Sequence, residues 1–265
     1  MQDLTVTIIQ PFLYWKDKKR NLEQFEVYFE KIDPVDLIVL PEMFNTGFIV
    51  EPEEVSEPED GITLEWMQRH AMGLDCVITG SFVVKEKGKY FNRLFWVGPD
   101  GSYSTYSKKH LFRMAGEHER FEAGFSKTIV TYKGWKICPL ICYDLRFPVW
   151  CRNRFKDGEY EYDVLVFVAN WPKVRNHAWK SLIMARAIEN QAFVIGVNRV
   201  GEDGNGIDHS GDSAVIAPGG RYIAALKAGM QDFETITLSV NELFESRQNF
   251  QAGKDWDDFL IIDSR

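Results

Sequence analysis

The chain has 265 residues, 45% of them hydrophobic, which is enough for one large folded domain or two small ones. Its formal net charge of -8 and its pI of about 5.3 argue against a nucleic-acid partner and against an anionic membrane surface. Its four cysteines include no CxxC pair, which argues against a disulfide framework and against a zinc site. With no signal-peptide pattern and no apolar run long enough to cross a bilayer, we expect a reduced, soluble, cytoplasmic protein.

Strand and helix patterns alternate along the chain. The predicted strands cover residues 4–10, 36–40, 76–85, 89–97, 102–107, 128–132, 135–141, 164–168 and 192–198, with two or three more between 210 and 240. The predicted helices cover residues 16–32, 62–72, 148–155 and 177–190. Segment 108–127 is charged and aperiodic, so we expect a long loop, and such loops are usually functional. The alternation predicts an α/β fold in a single domain, residues 1–265, with a core over about 4–240 and a tail over 241–265.

Cys142 stands where an apolar strand stops. The strand 135–141 ends just before it, and Pro148 then marks the start of a helix. Backbone N–H groups of such a turn point toward the thiol, where they stabilise a thiolate and an adjacent oxyanion. A buried cysteine at a strand end is otherwise an ordinary small core residue.

Glu42 and Lys108 occupy comparable positions. Glu42 follows the strand 36–40 and Pro41, and Lys108 opens the long loop. Amide hydrolysis needs a nucleophile, a group that moves a proton and a cationic or hydrogen-bonding site for the oxyanion. Cys142, Glu42 and Lys108 supply these in turn. His110 offers a Cys–His dyad as an alternative, but the chain lacks a protease signature such as Cys-Gly-x-Cys-Trp.

Three sequence blocks carry a family resemblance. Leu-Pro-Glu-Met-Phe at 40–44, Tyr-x-Lys-x-His-Leu-Phe at 106–112 and Ile-Cys-Tyr-Asp-Leu-Arg-Phe-Pro at 141–148 resemble the signature blocks of the nitrilase superfamily of carbon–nitrogen hydrolases. The resemblance covers about residues 4–240. It selects Lys108 over Lys109, because the catalytic lysine of that family lies two positions before the histidine.

The resemblance implies a fold, an assembly and a further site residue. The fold is a four-layer α-β-β-α sandwich of two mixed sheets between helices, usually paired as a homodimer, and the family needs no metal or organic cofactor. Many members carry a second glutamate in the loop after the lysine. Glu119 fits best by its distance from Gly124, and Glu117 is the alternative.

Further segments resemble the bacterial omega-amidase branch. They are residues 44–48, the loop 112–118, Asn-Trp-Pro at 170–172 and Ala-Arg-Ala-Ile-Glu-Asn-Gln at 185–191. The implied substrate is a small dicarboxylic monoamide such as 2-oxoglutaramate, hydrolysed to the acid and ammonia through an acyl-thioester on cysteine. The alternatives are an N-carbamyl amino acid, deaminated glutathione or a nitrile as substrate, or a non-catalytic interaction protein with the same fold.

Substrate contacts are expected from residues close to these blocks. Phe44 and Trp171 are bulky enough to close a small pocket, although aromatic residues are more often part of the core. Asn170 offers a polar group, and Tyr143 adjoins the nucleophile. Arg113, on the long loop, is the candidate for binding the substrate carboxylate, although it also fits an ordinary surface position. Arg146 is expected to hold the turn around Cys142.

Overall fold

The computed structural model describes residues 1–262, so the last three residues of the predicted tail lie outside it. The strands are β1 (Leu4–Gln10), β2 (Leu37–Val39), β3 (Val77–Glu86), β4 (Lys89–Val97), β5 (Tyr103–Ser107), β6 (Val130–Tyr132), β7 (Trp135–Ile141), β8 (Phe155–Lys156), β9 (Glu159–Tyr160), β10 (Val164–Ala169), β11 (Phe193–Asn198), β12 (Val200–Glu202), β13 (Asp208–Ser210), β14 (Ala214–Ile216), β15 (Tyr222–Ala225) and β16 (Asp232–Leu238). The helices are α1 (Lys18–Phe29), α2 (Ile62–Leu74), α3 (Glu117–Arg120), α4 (Pro148–Cys151), α5 (Asn176–Asn190) and α6 (Val240–Asn249).

Two six-stranded mixed sheets form the centre of the protein. The first has the order β16-β1-β2-β3-β4-β5 and the second β15-β14-β11-β10-β7-β6. In each sheet the three central strands run parallel, β1-β2-β3 in one and β7-β10-β11 in the other, and antiparallel strands flank them. The carboxyl ends of parallel strands lie at one edge of a sheet, where ligands commonly bind.

Alternation along the strands sorts side chains between the layers. Ile8 packs in a core shared by both sheets, whereas Ile9 packs in a second core with helices α1 and α2. Trp179 and Ile183 of helix α5 cover the far face of the second sheet. The layers are therefore helix, sheet, sheet, helix, and the predicted α-β-β-α sandwich is confirmed. No helix within residues 1–262 is both long and apolar enough to span a membrane.

Two predicted elements differ from those observed. The helix expected over 148–155 is only one turn, α4, because the Asn153 N–H bonds Asn190 Oδ1 at 2.8 Å and the chain leaves the helical path at Arg152. The segment 108–127, expected to be irregular, contains the short helix α3. Helix α3 determines the directions in which Glu117 and Glu119 point.

Candidate active site

The ends of three parallel strands bring separate parts of the sequence together. Glu42 follows strand β2, Cys142 follows β7 and Asn170 follows β10. Strands β7 and β10 are paired in register at Ile141 and Val168, so Cys142 and Asn170 leave the second sheet side by side. The two sheets face each other, and Glu42 comes from the opposite one.

Glu42 is fully buried and its carboxylate is held on both oxygens. Oε1 accepts hydrogen bonds from Lys108 Nζ and Asn92 Nδ2, both at 2.8 Å. Oε2 accepts the Asn170 backbone N–H at 2.9 Å, and the Asn170 side-chain amide donates to the Glu42 carbonyl. Met43, which follows, has a φ of 42°, a strained value of the kind found at functional sites.

Lys108 lies between two carboxylates. Its Nζ is 2.8 Å from Glu42 Oε1 and 2.9 Å from Glu117 Oε2, and all three side chains are at most 1% exposed. Burial acts to lower the pKa of Lys108, but Glu117 and Glu42 more than offset it, so its pKa lies above the usual value. The amine is therefore a fixed cation inside the protein.

Glu117, and not Glu119, is the second glutamate beside the lysine. Its Oε2 also accepts the Phe112 N–H at 2.6 Å, whereas the Glu119 side chain is 72% exposed. Positions two apart on a helix point about 200° apart, so helix α3 turns one glutamate inward and the other outward. The expectation of Glu119 at the site is wrong. Burial raises the pKa of Glu117, as does Glu42, while Lys108 opposes the rise.

Cys142 adopts a left-handed backbone conformation, with φ of 42°, at the first residue of a 3-10 turn, Cys142–Arg146. The first N–H groups of such a turn lack internal acceptors. Burial raises the pKa of the Cys142 thiol well above its usual value, as does the charge of Glu42, while Lys108 opposes the rise. The sulfur lies 3.9 Å from the Asn170 carbonyl oxygen. A raised pKa favours the protonated thiol, and the neighbouring Glu42 carboxylate is the base that can receive its proton.

Asp144 ties the lysine segment to the cysteine turn. Its buried carboxylate accepts the Ile141 N–H at 3.1 Å, the Tyr106 hydroxyl at 2.8 Å and the His110 N–H at 3.0 Å. His110 Nδ1 also lies 2.8 Å from Asp144 Oδ1, and its ring stacks on Phe147. His110 is thus a structural residue, and no Cys–His dyad forms.

A cavity of about 250 Å³ opens above these residues. Its lining includes Cys142 and Lys108, and the expected contact residues Tyr143, Asn170 and Trp171. The rest of the lining comes from three loops, the end of the Cys142 turn and a hairpin: Phe48, Val50, Phe112, Ala115, Arg146, Pro172, Arg175, Asp203, Asn205, Ile207 and His209. A small, largely apolar cavity with a few polar groups is typical of a small-molecule site.

Two expected contact residues lie elsewhere. Phe44 is fully buried in the core under helices α1 and α2, with its ring centroid 5.6 Å from that of Phe25 and 6.3 Å from that of Phe82. Arg113 is exposed and does not line the cavity. Phe44 follows the strand end by a few residues, where the chain has turned its side chain to the outer face of the sheet, and Arg113 points out from its loop.

Sequence reasoning missed three polar residues of the site. Asn92, on β4, contacts both Glu42 and Glu117. It shares a strand face with Leu94 and Trp96, both in the inter-sheet core. The alternation along this strand therefore predicts an inward-facing polar side chain at position 92. Arg146 lines the cavity, with its guanidinium 4.7 Å from the Trp171 ring, instead of tying down the turn. Arg175 lines it as well, and nothing local marks that residue.

Comparison with known proteins places these features in a family. The profile of the carbon–nitrogen hydrolase family matches residues 5–246. Omega-amidase YafV of Escherichia coli (strain K12) is 44% identical over 98% of this chain and 100% of its own, and 2-oxoglutaramate amidase of Bacillus subtilis (strain 168) is 33% identical over 83% and 85%. A crystal structure of a Xanthomonas campestris CN-hydrolase superfamily protein with an arsenic adduct in its active site superimposes with a TM-score of 0.96, at 43% identity over 98% of this chain and 100% of its own. The chain belongs to the carbon–nitrogen hydrolase family, the nitrilase superfamily.

Proposed function

We propose that this enzyme is an omega-amidase, which hydrolyses the terminal amide of a small dicarboxylic monoamide such as 2-oxoglutaramate to the acid and ammonia. The observation that carries the proposal is that Cys142 and Lys108 line one small cavity whose wall bears two arginines, while the buried Glu42 carboxylate lies 2.8 Å from Lys108 Nζ. The names of the relatives in Escherichia coli and Bacillus subtilis support the same activity.

Acylation uses Cys142 as nucleophile and Glu42 as general base. The thiol proton moves to Glu42 as the sulfur attacks the amide carbon, forming the S–C bond and moving the carbonyl electron pair onto oxygen. Lys108 and the backbone N–H groups of the Cys142 turn stabilise that oxyanion. When the intermediate collapses the C–N bond breaks, Glu42 returns the proton to nitrogen, and ammonia leaves.

In deacylation a water molecule is the nucleophile and the Cys142 thiolate is the leaving group. Glu42 takes a proton from the water as its oxygen attacks the thioester carbon, and the S–C bond then breaks to release the acid. Glu42 passes the proton back to the sulfur, which restores the thiol. Glu117 contributes by holding the Lys108 ammonium in position, with Nζ–oxygen distances of 2.9 and 3.1 Å.

Substrate recognition rests on Arg146 and Arg175. Within residues 1–262 neither guanidinium has a carboxylate partner at ion-pair distance, and both line the cavity that holds Cys142. An anionic group on the substrate supplies the missing partner, and an Arg–carboxylate pair gives both charge and geometry. Phe48, Phe112 and Trp171 enclose a short carbon chain between this end and the nucleophile.

A substrate panel tests the proposal. Ammonia release is measured for 2-oxoglutaramate, an N-carbamyl amino acid, a simple nitrile and an uncharged linear amide, with Cys142→Ala as the blank. We expect the highest kcat/KM for 2-oxoglutaramate, no turnover by the blank, and an acyl adduct on the Cys142 peptide by mass spectrometry. If the carbamyl compound or the nitrile is the best substrate, the omega-amidase assignment fails. An adduct on Cys138 instead overturns the choice of nucleophile.

We also propose that the enzyme works as a homodimer in the cytoplasm. Apolar side chains near helices α4 and α5 are exposed, Val149 by 57%, Val174 by 83% and Ile188 by 51%, as is common at subunit interfaces. The four cysteines are unpaired, which fits a reducing compartment. Light scattering on a sizing column tests the assembly: a mass of one chain, about 31 kDa, contradicts the dimer.

A further inference from the structure

One amide nitrogen joins the two buried carboxylates. Asn92 Nδ2 lies 2.8 Å from Glu42 Oε1 and 3.2 Å from Glu117 Oε1. Asn92 and both glutamates are fully buried. Because the amide carries two hydrogens, it can donate one to each carboxylate at the same time.

The same residue also fixes the lysine. The Lys108 backbone N–H donates to the Asn92 carbonyl at 2.9 Å, next to the β4–β5 pairing, while Lys108 Nζ reaches the two carboxylates that Asn92 spans. Asn92 is thereby in contact with Glu42, Lys108 and Glu117. Small shifts in such groups are costly to catalysis because proton transfer and oxyanion stabilisation both depend on their geometry.

The orientation of the amide follows from its neighbours. Asn92 Oδ1 has no hydrogen-bond partner among the residues that the structure describes. Turning the amide over would place that oxygen against two carboxylates, where it has nothing to accept. The nitrogen therefore faces the carboxylates, and both carboxylate oxygens are held as acceptors.

The charges around Asn92 explain why a neutral hydrogen-bond donor stabilises this group. The group contains two carboxylates and one ammonium. The charged or titratable groups around Glu42 are Lys108, Glu117 and the Cys142 thiol, and its neutral donors are the Asn170 N–H and Asn92. Burial raises the pKa of Glu117, as does the charge of Glu42, while Lys108 opposes the rise. An amide donor also opposes that rise, without adding an ion.

We infer that Asn92 is a positioning residue of the reaction, which holds Glu42 and Glu117 around Lys108 and keeps Glu42 ready to accept the Cys142 proton. The inference rests on the proposed roles of Glu42 and Cys142, but not on the identity of the amide. Without the Asn92 donor, Glu117, whose pKa burial already raises, should take up a proton at higher pH and hold the Lys108 ammonium less firmly. The acid limb of the pH–rate profile then moves upward.

The test compares Asn92→Leu and Asn92→Asp with Asn153→Leu. Asn153 is a buried asparagine whose side chain bonds the carbonyls of Tyr162 and Asn190, and it does not line the cavity. For each variant kcat/KM is measured against pH on whichever amide the parent hydrolyses fastest. The rate of Cys142 alkylation by iodoacetamide is measured over the same pH range, which requires no substrate.

Both Asn92 variants should lose about 10- to 100-fold in kcat, and their acid limbs should rise by about one pH unit, as expected when one general-base contact is disturbed. Asn153→Leu should lose thermal stability without moving the limb. Acid limbs that stay at the parent position in both Asn92 variants overturn the inference. If neither Asn92 variant folds while Asn153→Leu does, Asn92 is a structural residue and the inference is again overturned. A parent that prefers another amide leaves this comparison intact and rejects only the omega-amidase proposal.

Discussion

The base of the cavity and its entrance consist of different types of residue. The base (Glu42, Asn92, Lys108, Glu117 and Cys142) is a buried network in which each carboxylate has several donors. The entrance (Phe112, Arg146, Trp171, Arg175 and the hairpin 200–210) combines two aromatic rings with two arginines that lack carboxylate partners within residues 1–262. Carboxylates held by several donors suit proton transfer and bond breaking, and cations without a carboxylate partner suit binding of an anion.

The two regions also differ in their supports. The base stands on β4 and on the ends of strands from both sheets, and Asp144 links the cysteine turn to the lysine segment. The entrance stands mainly on loops and the β12–β13 hairpin, and its links include a Lys173–Asp208 ion pair between exposed side chains and the contact of Arg175 with Met114 Sδ at 3.8 Å. Strand ends fix catalytic geometry, and loops are free to differ between enzymes of one fold. We therefore expect changes in the base to lower kcat and changes in the entrance to alter selectivity.

Among the substitutions that keep the Cys142 nucleophile and Glu42, the largest effect should come from Glu117, the second buried glutamate of the base. Glu117→Gln removes a charge that holds Lys108, so kcat should fall on the order of 10²-fold, the usual loss when an oxyanion-stabilising group is displaced. Glu119→Gln is the matched control, because that side chain is two residues away and 72% exposed, and it should keep the parental kcat. Steady-state rates on 2-oxoglutaramate make the comparison. A larger loss for Glu119→Gln would show that the inward-facing residue had been misassigned.

The same pair shows how far sequence reasoning reaches. Glu42, Lys108 and Cys142 are each marked by a strand end and by the residues around them, so local sequence was enough to select them. The choice between Glu117 and Glu119 depended on the phase of a four-residue helix, which has no periodic pattern to read. Whether the side chains of Phe44 and Arg175 face the cavity depends on the direction that each loop takes, which is set by long-range packing. The layered fold was predictable because strand and helix patterns alternate, while the length of α4 was decided by a bond between distant residues, Asn153 and Asn190.

At the entrance, removal of either Arg146 or Arg175 should change substrate selectivity more than it changes kcat. Arg146→Leu should lower kcat/KM for 2-oxoglutaramate by about 10- to 100-fold, the value of one charge-assisted hydrogen bond, chiefly through KM. Arg175→Gln should lose less than Arg146→Leu, because glutamine keeps a hydrogen-bond donor and leucine does not. The exposed Arg113→Gln is the control and should behave as the parent. Equal losses on a carboxylate-free amide would contradict a role in binding the anion.

The smallest effect concerns the stability of the entrance hairpin. His209, on β13, is 2% exposed, and burial, with Arg199 nearby, lowers its pKa to about 4. The folded protein therefore holds it neutral, while the unfolded chain binds a proton below a pH of about 6.5. Its contribution to stability is complete above that pH and is lost as the pH falls toward 4, by about 2 kcal/mol at pH 5. His209→Gln cannot titrate, so urea unfolding should show a smaller loss of stability between pH 7 and pH 5 than in the parent. His177→Gln, which replaces an exposed histidine, should keep the parental pH dependence. If His209→Gln loses as much stability as the parent over that range, the acid sensitivity of the fold arises from other groups, and the entrance hairpin does not contribute to it.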